Sequence, residues 1–455
     1  MHFTHKPYEK EETIAAVATP PGEGGIAVIR ISGKGALDVA EKIYVGPVRS
    51  YKSHTAHFGR IVNQKGEMVD EVLLLPMLAP RSYTGEDTVE IHCHGGSLIT
   101  RRVLEVVLEA GARASLPGEF TFRAYMHGKL DLAQAEAVQS LIGAKNEMAL
   151  QEAHHQLQGI LSQKIMAFQK ELVDSAAILN AWVDFPEEGL EFASLEEILD
   201  SLGQVQVLME KLSQTFYEGK IIHEGLSLCL VGTPNVGKSS LMNALLGKDK
   251  AIVTDIPGTT RDVLEGELRL GGLHFNLLDT AGIRETEELV EQEGIRRSKK
   301  ALKTADLVLL VLDASKGVLP EDEELIALVD KEKTLIIWNK IDLPSSHIRP
   351  QEAIAVSAKE GKGLSSLHEA IDRMIWKKGP PSKEEVLITN MRHKQALDAA
   401  TLSLAKVIEG LKTGVSPEFL LSDLRQALIE LGLIIGSDIT EDILTAIFSK
   451  FCVGK

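Results

Sequence analysis

The sequence predicts a multidomain protein of α/β and α character. It combines an N-terminal α+β domain, a helical domain, and an inserted α/β domain with a mixed, mostly parallel sheet. Three observations carry this expectation. The chain has 455 residues, and at ~100–200 residues per domain that length suggests two to four domains. Its hydrophobic period changes twice, first from short runs to helical spacing and then to strands alternating with helices. Helix-like sequence resumes after that alternation. The simplest geometry therefore places the α/β part between two pieces of one helical domain, as the closeness of domain termini permits.

Residues 1–125 intersperse apolar runs with glycine and proline: Ile14–Val17, then PPGEGG, then Ile26–Ile31, Glu71–Leu75 and Val89–Ile91. Helical spacing follows Ser97, so short strands and a helix are expected together. From 126 to 221 the composition turns to Ala, Leu, Gln and Glu. Proline is absent between Leu130 and Val183, and Leu150, Ala153, Leu157, Ile160 and Leu161 recur at helical spacing. Pro186 ends that stretch, and a second helical pattern runs from about Leu195 to Phe216. Residues 222–378 open with the apolar run Leu226–Val231 and alternate strands with helices to about Met374. Pro380 and Pro381 mark a linker, and 379–455 is helix-like from Lys383.

Composition narrows the class of protein. Hydrophobic residues make up 44% and charged residues 25%, which excludes a disordered or collagen-like chain. Three cysteines, Cys93, Cys229 and Cys452, cannot build a disulfide framework and favour a reducing compartment. The N-terminal MHFTHKPYEKEET lacks an apolar signal core, and no run nears the ~18 apolar residues of a membrane span. A cytoplasmic protein is expected. Its net charge of −16, from 65 acidic and 49 basic residues, repels phosphate backbones and disfavours a stand-alone nucleic-acid binder. Arg296, Arg297, Lys299 and Lys300 form the densest basic cluster, and a solvated helix face accounts for them.

The clearest chemistry lies in Gly232-Thr-Pro-Asn235-Val236-Gly237-Lys238-Ser239-Ser240. It follows an apolar strand pattern and precedes a helical one, the context a phosphate-binding P-loop needs. Glycines let backbone N–H groups wrap phosphates at a helix N-terminus, Lys238 reaches the β- and γ-phosphates, and the Ser239 hydroxyl ligates Mg²⁺. Three further segments follow at strand ends. Asp279-Thr280-Ala281-Gly282 supplies a carboxylate for Mg²⁺ through water and an N–H for the γ-phosphate. Asn339-Lys340-Ile341-Asp342 supplies, in Asp342, an acceptor for the paired donor edge of guanine, which adenine lacks. Ser357-Ala358-Lys359 offers amides to the guanine carbonyl. Four such segments in this order predict a guanine-nucleotide domain of the Ras-like type.

Between the first two lies Thr254-Asp255-Ile256-Pro257-Gly258-Thr259-Thr260. One threonine, assigned as Thr260, completes the Mg²⁺ shell only with the γ-phosphate present, the logic of an order–disorder switch. Where Ras-like enzymes carry a water-orienting glutamine, this chain has Ile283. An apolar side chain cannot orient water, so the charge must be handled otherwise, and a monovalent cation held by Asn235 near the β–γ bridge is one solution. Glu285, Glu287, Glu288, Glu291 and Glu293 crowd the segment that follows, and each read singly is a solvated acidic helix start. His92-Cys93-His94 places two imidazoles on one strand face, but no third zinc ligand lies nearby, and a packed strand before a glycine turn is the favoured reading.

Together, GTPNVGKSS, TDIPGTTRDV, DTAGIRETEELVEQEGI and the terminal Phe451-Cys452-Val453-Gly454-Lys455 resemble the MnmE (TrmE) family of tRNA-modification GTPases. ATPPGEGGIAVIRISG, SYTGEDTVEIHCHGG and PGEFTFRAYMHGKLDLAQAEA extend the resemblance over essentially the whole chain. It implies an N-terminal folate-binding and dimerisation domain (1–125), a helical domain in two parts (126–221 and 379–455) and a G domain (222–378). It further implies GTP hydrolysis activated by potassium-dependent dimerisation of G domains. Asn235 would be a side-chain K⁺ ligand, with carbonyls around Thr254, Ile256 and Thr259. The family's water-positioning carboxylate matches Glu291, and a switch arginine matches Arg284. Family folate contacts match Arg30, Glu90, Lys129 and Lys455, with the tail carrying Cys452 in the folate pocket. Glu90 suits the amidine-like edge of a pterin, and Arg30 and Lys129 suit its carbonyl or glutamate tail. The family pattern has glycine at Cys93. The implied activity installs an aminomethyl-type group, such as carboxymethylaminomethyl, on C5 of a tRNA wobble uridine. The implied enzyme is a homodimer working with the flavoprotein MnmG (GidA) and taking carbon from 5-formyl- or methylene-tetrahydrofolate. Two rivals stand beside it: a regulatory GTPase without chemistry of its own, and a folate-dependent methyltransferase gated by GTP.

Overall fold

A computed structural model describes residues 12–184, 194–248, 267–270, 272–278, 302–376, 379, 381–382, 385–437 and 439–454. The chain divides into two compact units. One comprises residues 1–142, 154–210 and 395–455, and the other residues 143–153 and 211–394.

The first unit is built on a six-stranded sheet: β1 (Ile14–Val17), β2 (Ile26–Ser32), β3 (His57–Val62), β4 (Met68–Met77), β5 (Thr88–His94) and β6 (Arg113–Ala114). The spatial order is β3-β4-β5-β2-β1-β6, antiparallel apart from the β1–β6 pair. Alternation along β2 and β5 sends Ile29, Ile31, Val89, Ile91 and Cys93 to one face. There they pack with Val39, Ala40 and Ile43 of helix Ala36–Ile43 and with Val103 and Val107 of helix Ser97–Glu109. Arg30 and Glu90 are register partners and point to the opposite face. The strand expected at Val89–Ile91 extends to Thr88–His94, and the helical composition that begins near Leu130 opens with helix Leu132–Gly143.

Long helices complete this unit. Ile160–Asp184 presents Leu161, Ile165, Phe168 and Leu172 at three- and four-residue spacing, with Leu179 two turns further on, and all five are buried. Helix Pro417–Ile435 buries Leu420, Leu424 and Leu431, has proline in its first turn and ends on Gly436 in a left-handed conformation. Gln169 of the former donates to the Leu428 carbonyl of the latter at 3.5 Å.

The second unit holds another six-stranded sheet: β7 (Leu226–Val231), β8 (Glu267–Leu270), β9 (Leu273–Leu277), β10 (Leu307–Asp313), β11 (Thr334–Asn339) and β12 (Ile354–Val356). Its order is β12-β11-β10-β7-β9-β8, with all pairs parallel except β8–β9. Every residue of β10 is buried, which is why it reads as an unbroken apolar run rather than an alternation. Helices Lys238–Lys248 and Leu364–Ile375 contribute Leu241, Leu245, Leu364, Leu367 and Ile371 to the core on one face. Parallel strands share polarity, so the loops after β7, β10, β11 and β12 emerge at one edge, where open α/β sheets hold ligands. Among the described residues, no helix is long and apolar enough to cross a membrane.

Candidate functional site

At the carboxyl edge of the second sheet, the chain leaves β7 and turns through residues 232–237 into helix Lys238–Lys248. Asn235 takes the left-handed region at φ +63°. Gly237 does so at φ +98°, and a Cβ there would run into the Asn339 side-chain amide, so only glycine fits. The loop's shape is held from outside. Asn339 Nδ2 donates to the Val236 carbonyl at 2.9 Å, and Lys340 Nζ donates to the Asn235 carbonyl at 2.6 Å. Thr233 Oγ1 donates to the buried Asp322 Oδ1 at 3.1 Å.

Lys238 Nζ donates to the Gly232 and Thr233 carbonyls at 2.7 and 2.9 Å, which places the ammonium across the concave side of the loop. Burial pushes its pKa below the usual lysine range. Ser239 and Ser240 are exposed in the first turn of the helix, and Val236 is buried. Asp342 accepts from Ser357 Oγ at 2.6 Å, and that bond holds its carboxyl below the ordinary range. The Ala358 amide is engaged by Asn339 Oδ1 at 3.1 Å and the Ser357 amide by the Lys362 carbonyl at 2.9 Å, so neither faces outward. The structure thus brings together the 235–240, 339–342 and 357–359 segments. Thr254 through Thr260, Asp279 through Gly282, Arg284, Glu291 and Lys455 lie outside the described residues.

Sequence reasoning passed over Asp313. It ends β10, is buried, and accepts from Lys340 Nζ at 2.7 Å through Oδ2. Its Oδ1 accepts from the Ser315 amide at 3.0 Å and hydroxyl at 2.6 Å. Burial by itself would raise its pKa, and the bonds from Lys340 and Ser315 outweigh burial and hold it low. The available signal was its place as the first polar residue after an apolar strand run, where Asp279 and Asn339 also stand.

In the first unit, Arg30 Nε donates to Glu90 Oε1 at 2.9 Å, and the guanidinium lies 5.6 Å from the Tyr83 ring and 5.7 Å from Phe120. Burial raises the Tyr83 phenol. Lys129 instead reaches the Pro80 carbonyl at 3.1 Å. His92 approaches Glu90 Oε2 at 3.4 Å and His94 bonds Asp70 at 2.8 Å. Cys93 turns to the core, and burial raises its thiol. No group of three metal-binding side chains forms among the described residues. Cys452 is exposed, and its carbonyl accepts from the Gly118 amide at 3.3 Å.

Residues 132–452 match the model of the MnmE helical domain, and residues 13–129 match that of the GTP-binding protein TrmE N-terminus. The chain is 65% identical over 458 aligned residues to the tRNA modification GTPase MnmE of Protochlamydia amoebophila, covering 100% of both chains. It is 41% identical to the protein of that name from Acetivibrio thermocellus, over 98% of this chain and 100% of the relative. It is 44% identical to that from Chlamydia felis, again over 98% and 100%. The strand order of the second unit, the loop geometry at its carboxyl edge and these full-length matches converge: the chain belongs to the MnmE family of tRNA modification GTPases.

Proposed function

We propose that the chain hydrolyses GTP in the service of wobble-uridine modification, as a homodimer whose G domains activate one another in the presence of K⁺. The observation that carries the nucleotide half is the pinning of the P-loop by Asn339 and Lys340, which ties the guanine-reading segment to the phosphate-reading one. Bound Mg²⁺ and K⁺ would supply positive charge to the β–γ bridge as the bond to the γ-phosphoryl group breaks. Ser239, exposed at the start of its helix, suits Mg²⁺, with Thr260 and a water held by Asp279 as further partners. The Asn235 carbonyl is taken by Lys340 while its side chain is exposed, which suits a side-chain ligand to K⁺, joined by carbonyls of Thr254, Ile256 and Thr259. Glu291 orients the attacking water, and Lys238 turns from its loop carbonyls to the phosphates. Asp342 reads the guanine edge.

The Arg30–Glu90 pair beside two aromatic rings fits a flat, donor-rich heterocycle, and we assign it to a reduced one-carbon folate with Lys129 and Lys455. Bound there, the folate would supply the carbon of the new substituent. Cys452, exposed on the tail, takes part in that transfer. The acidic chain leaves most of the tRNA-binding surface to the flavoprotein MnmG. The partition into residues 1–125, 126–221 with 379–455, and 222–378, and the cytoplasm as compartment, belong to the same proposal.

The deciding experiment is GTP hydrolysis in KCl against NaCl at equal ionic strength, with Glu291→Ala alongside. Stimulation by potassium that the variant abolishes is expected. Equal rates in both salts would remove the cation mechanism and favour a purely regulatory GTPase.

A further inference from the structure

Glu119 is fully buried and carries a charge that neither proposed site uses. Its carboxylate accepts from Arg113 at 2.7 and 3.1 Å, from Arg123 at 3.1 Å and from the Leu116 amide at 2.8 Å. Arg123, also buried, donates in addition to Glu86 at 3.0 and 3.3 Å. A buried carboxylate is tolerated only when its lone pairs are satisfied, and four donors satisfy this one. The contact with a structural consequence is the one to Leu116, because it shapes the turn that ends at Gly118.

That turn is the seat of the C-terminal tail. Gly118 has φ +68°, and its amide donates to the Cys452 carbonyl at 3.3 Å. A Cβ at Gly118 would stand 2.5 Å from the Phe448 carbonyl oxygen and 3.0 Å from Phe451 Cβ. Phe448 is fully buried and meets Phe122 edge to face at 5.4 Å, three residues along the helix that Glu119 begins. Gln139 donates to the Lys450 carbonyl at 3.3 Å. The backbone is thus held at residues 448, 450 and 452 while the Cys452 thiol is exposed. Val453 lines a cavity of about 670 Å³ between residues 19–24 and the first turns of helix Ser97–Glu109.

We propose that Glu119 and Gly118 are positioning residues for the Cys452 thiol: the buried carboxylate fixes the 116–118 turn, and the turn fixes the tail. This deepens the reading of Cys452 as a participant in the transfer and rests on it. An exposed thiol on a free tail would sample many positions, whereas a mounted one is delivered to a single place, and a displacement of about 1 Å at a reacting group can cost about 10²-fold in rate.

The test uses the full chain with a nitroxide label on Cys452, since Cys93 and Cys229 are buried. Wild type should give the broad spectrum of an immobilised label. Gly118→Ala, which leaves the buried charges intact, should narrow it and lower uridine modification about 10²-fold at unchanged GTP hydrolysis. Glu119→Gln should do the same, and Glu119→Asp, which keeps the charge, should fall between. Should Glu119→Gln fail to fold, Gly118→Ala decides alone. A narrow spectrum in wild type, or a narrowed one with full modification, would overturn the proposal. Full modification by Cys452→Ser, measured without label, would overturn the reading beneath it and the proposal with it.

Discussion

Replacing Asp313 with alanine tests whether the lysine of the 339–342 segment is held in place or merely rests there. Lys340 Nζ has two acceptors, the Asn235 carbonyl at 2.6 Å and Asp313 Oδ2 at 2.7 Å. The aspartate side chain is 3% exposed and the lysine 28%. Breaking a fully buried pair costs about 3–5 kcal/mol, and the water contact left to Lys340 reduces the expected loss to about 2 kcal/mol. Part of that falls on the P-loop, because Lys340 then tethers Asn235 without its own anchor. An effect of about 1.4 kcal/mol on nucleotide binding is tenfold in Kd. Titration with a fluorescent GDP analogue at fixed Mg²⁺, beside a thermal melt, measures both. Asp313→Asn, which keeps an acceptor and loses the charge, should lie between. Because the Asp313 carboxyl is held below its ordinary range, its stabilisation is complete above the unfolded value of about 3.9 and is lost as pH falls through the lower folded value. Wild type and Asp313→Asn should therefore converge in stability only in strong acid. Unchanged affinity in Asp313→Ala with a lowered melting temperature would refute the tether and leave Asp313 a purely structural residue.

Three further outcomes follow from the same edge of the sheet. On the proposed role of Asp342 in reading guanine, Asp342→Asn should weaken GDP binding at least tenfold with little change in the melt, read by the same titration. Gly237→Ala forces a side chain against Asn339 Nδ2 in a left-handed backbone, so nucleotide binding should be lost while the far-ultraviolet circular dichroism is kept. Phosphates meeting Lys238 would raise the pKa that burial lowers, so binding should take up protons at alkaline pH, in the window just below the ordinary lysine value of about 10.4. Calorimetry in buffers of different ionisation enthalpy would show this, and buffer-independent heats would count against it.

The strands legible in the sequence were those buried on both faces or bounded by glycine and proline. Leu226–Val231 is expected and found at those residues, and the strand expected before the Asn339 segment is Thr334–Asn339. β6, two residues long, carries no periodicity at all. β3 mixes histidine, glycine and arginine with apolar residues without clean alternation; it is an edge strand, and its Phe58 is exposed. At the proposed nucleotide site, the residues assigned to a ligand are readable because the chemistry would dictate their spacing. Those that hold them were not, since Asp313 and Asp322 act through distances set by the fold. The Ser357 and Ala358 amides show the same limit. The sequence offers them to guanine, and only the bridge between Ser357 and Lys362 shows where they point. Glu119 was invisible for a related reason, because a lone glutamate opening a helix reads as a dipole partner rather than as a buried anion.

The parallel pairing of β7 bears on how the chain is made. Leu228 lies beside Leu307 in the register of β7 with β10, about 80 residues further on, which at about 5–20 residues per second is roughly 4–16 s of synthesis. Through that interval the segment LSLCLV leaves the ribosome with its central-strand partner not yet made. It is apolar, β-prone and uncharged, so a nascent chain would show it to any strand-binding surface nearby. Pairing with β9, where Leu226 meets Phe275, comes earlier and covers only one side. Yield at high expression should therefore depend on translation speed between β7 and β10 and on chaperones that shield extended apolar segments.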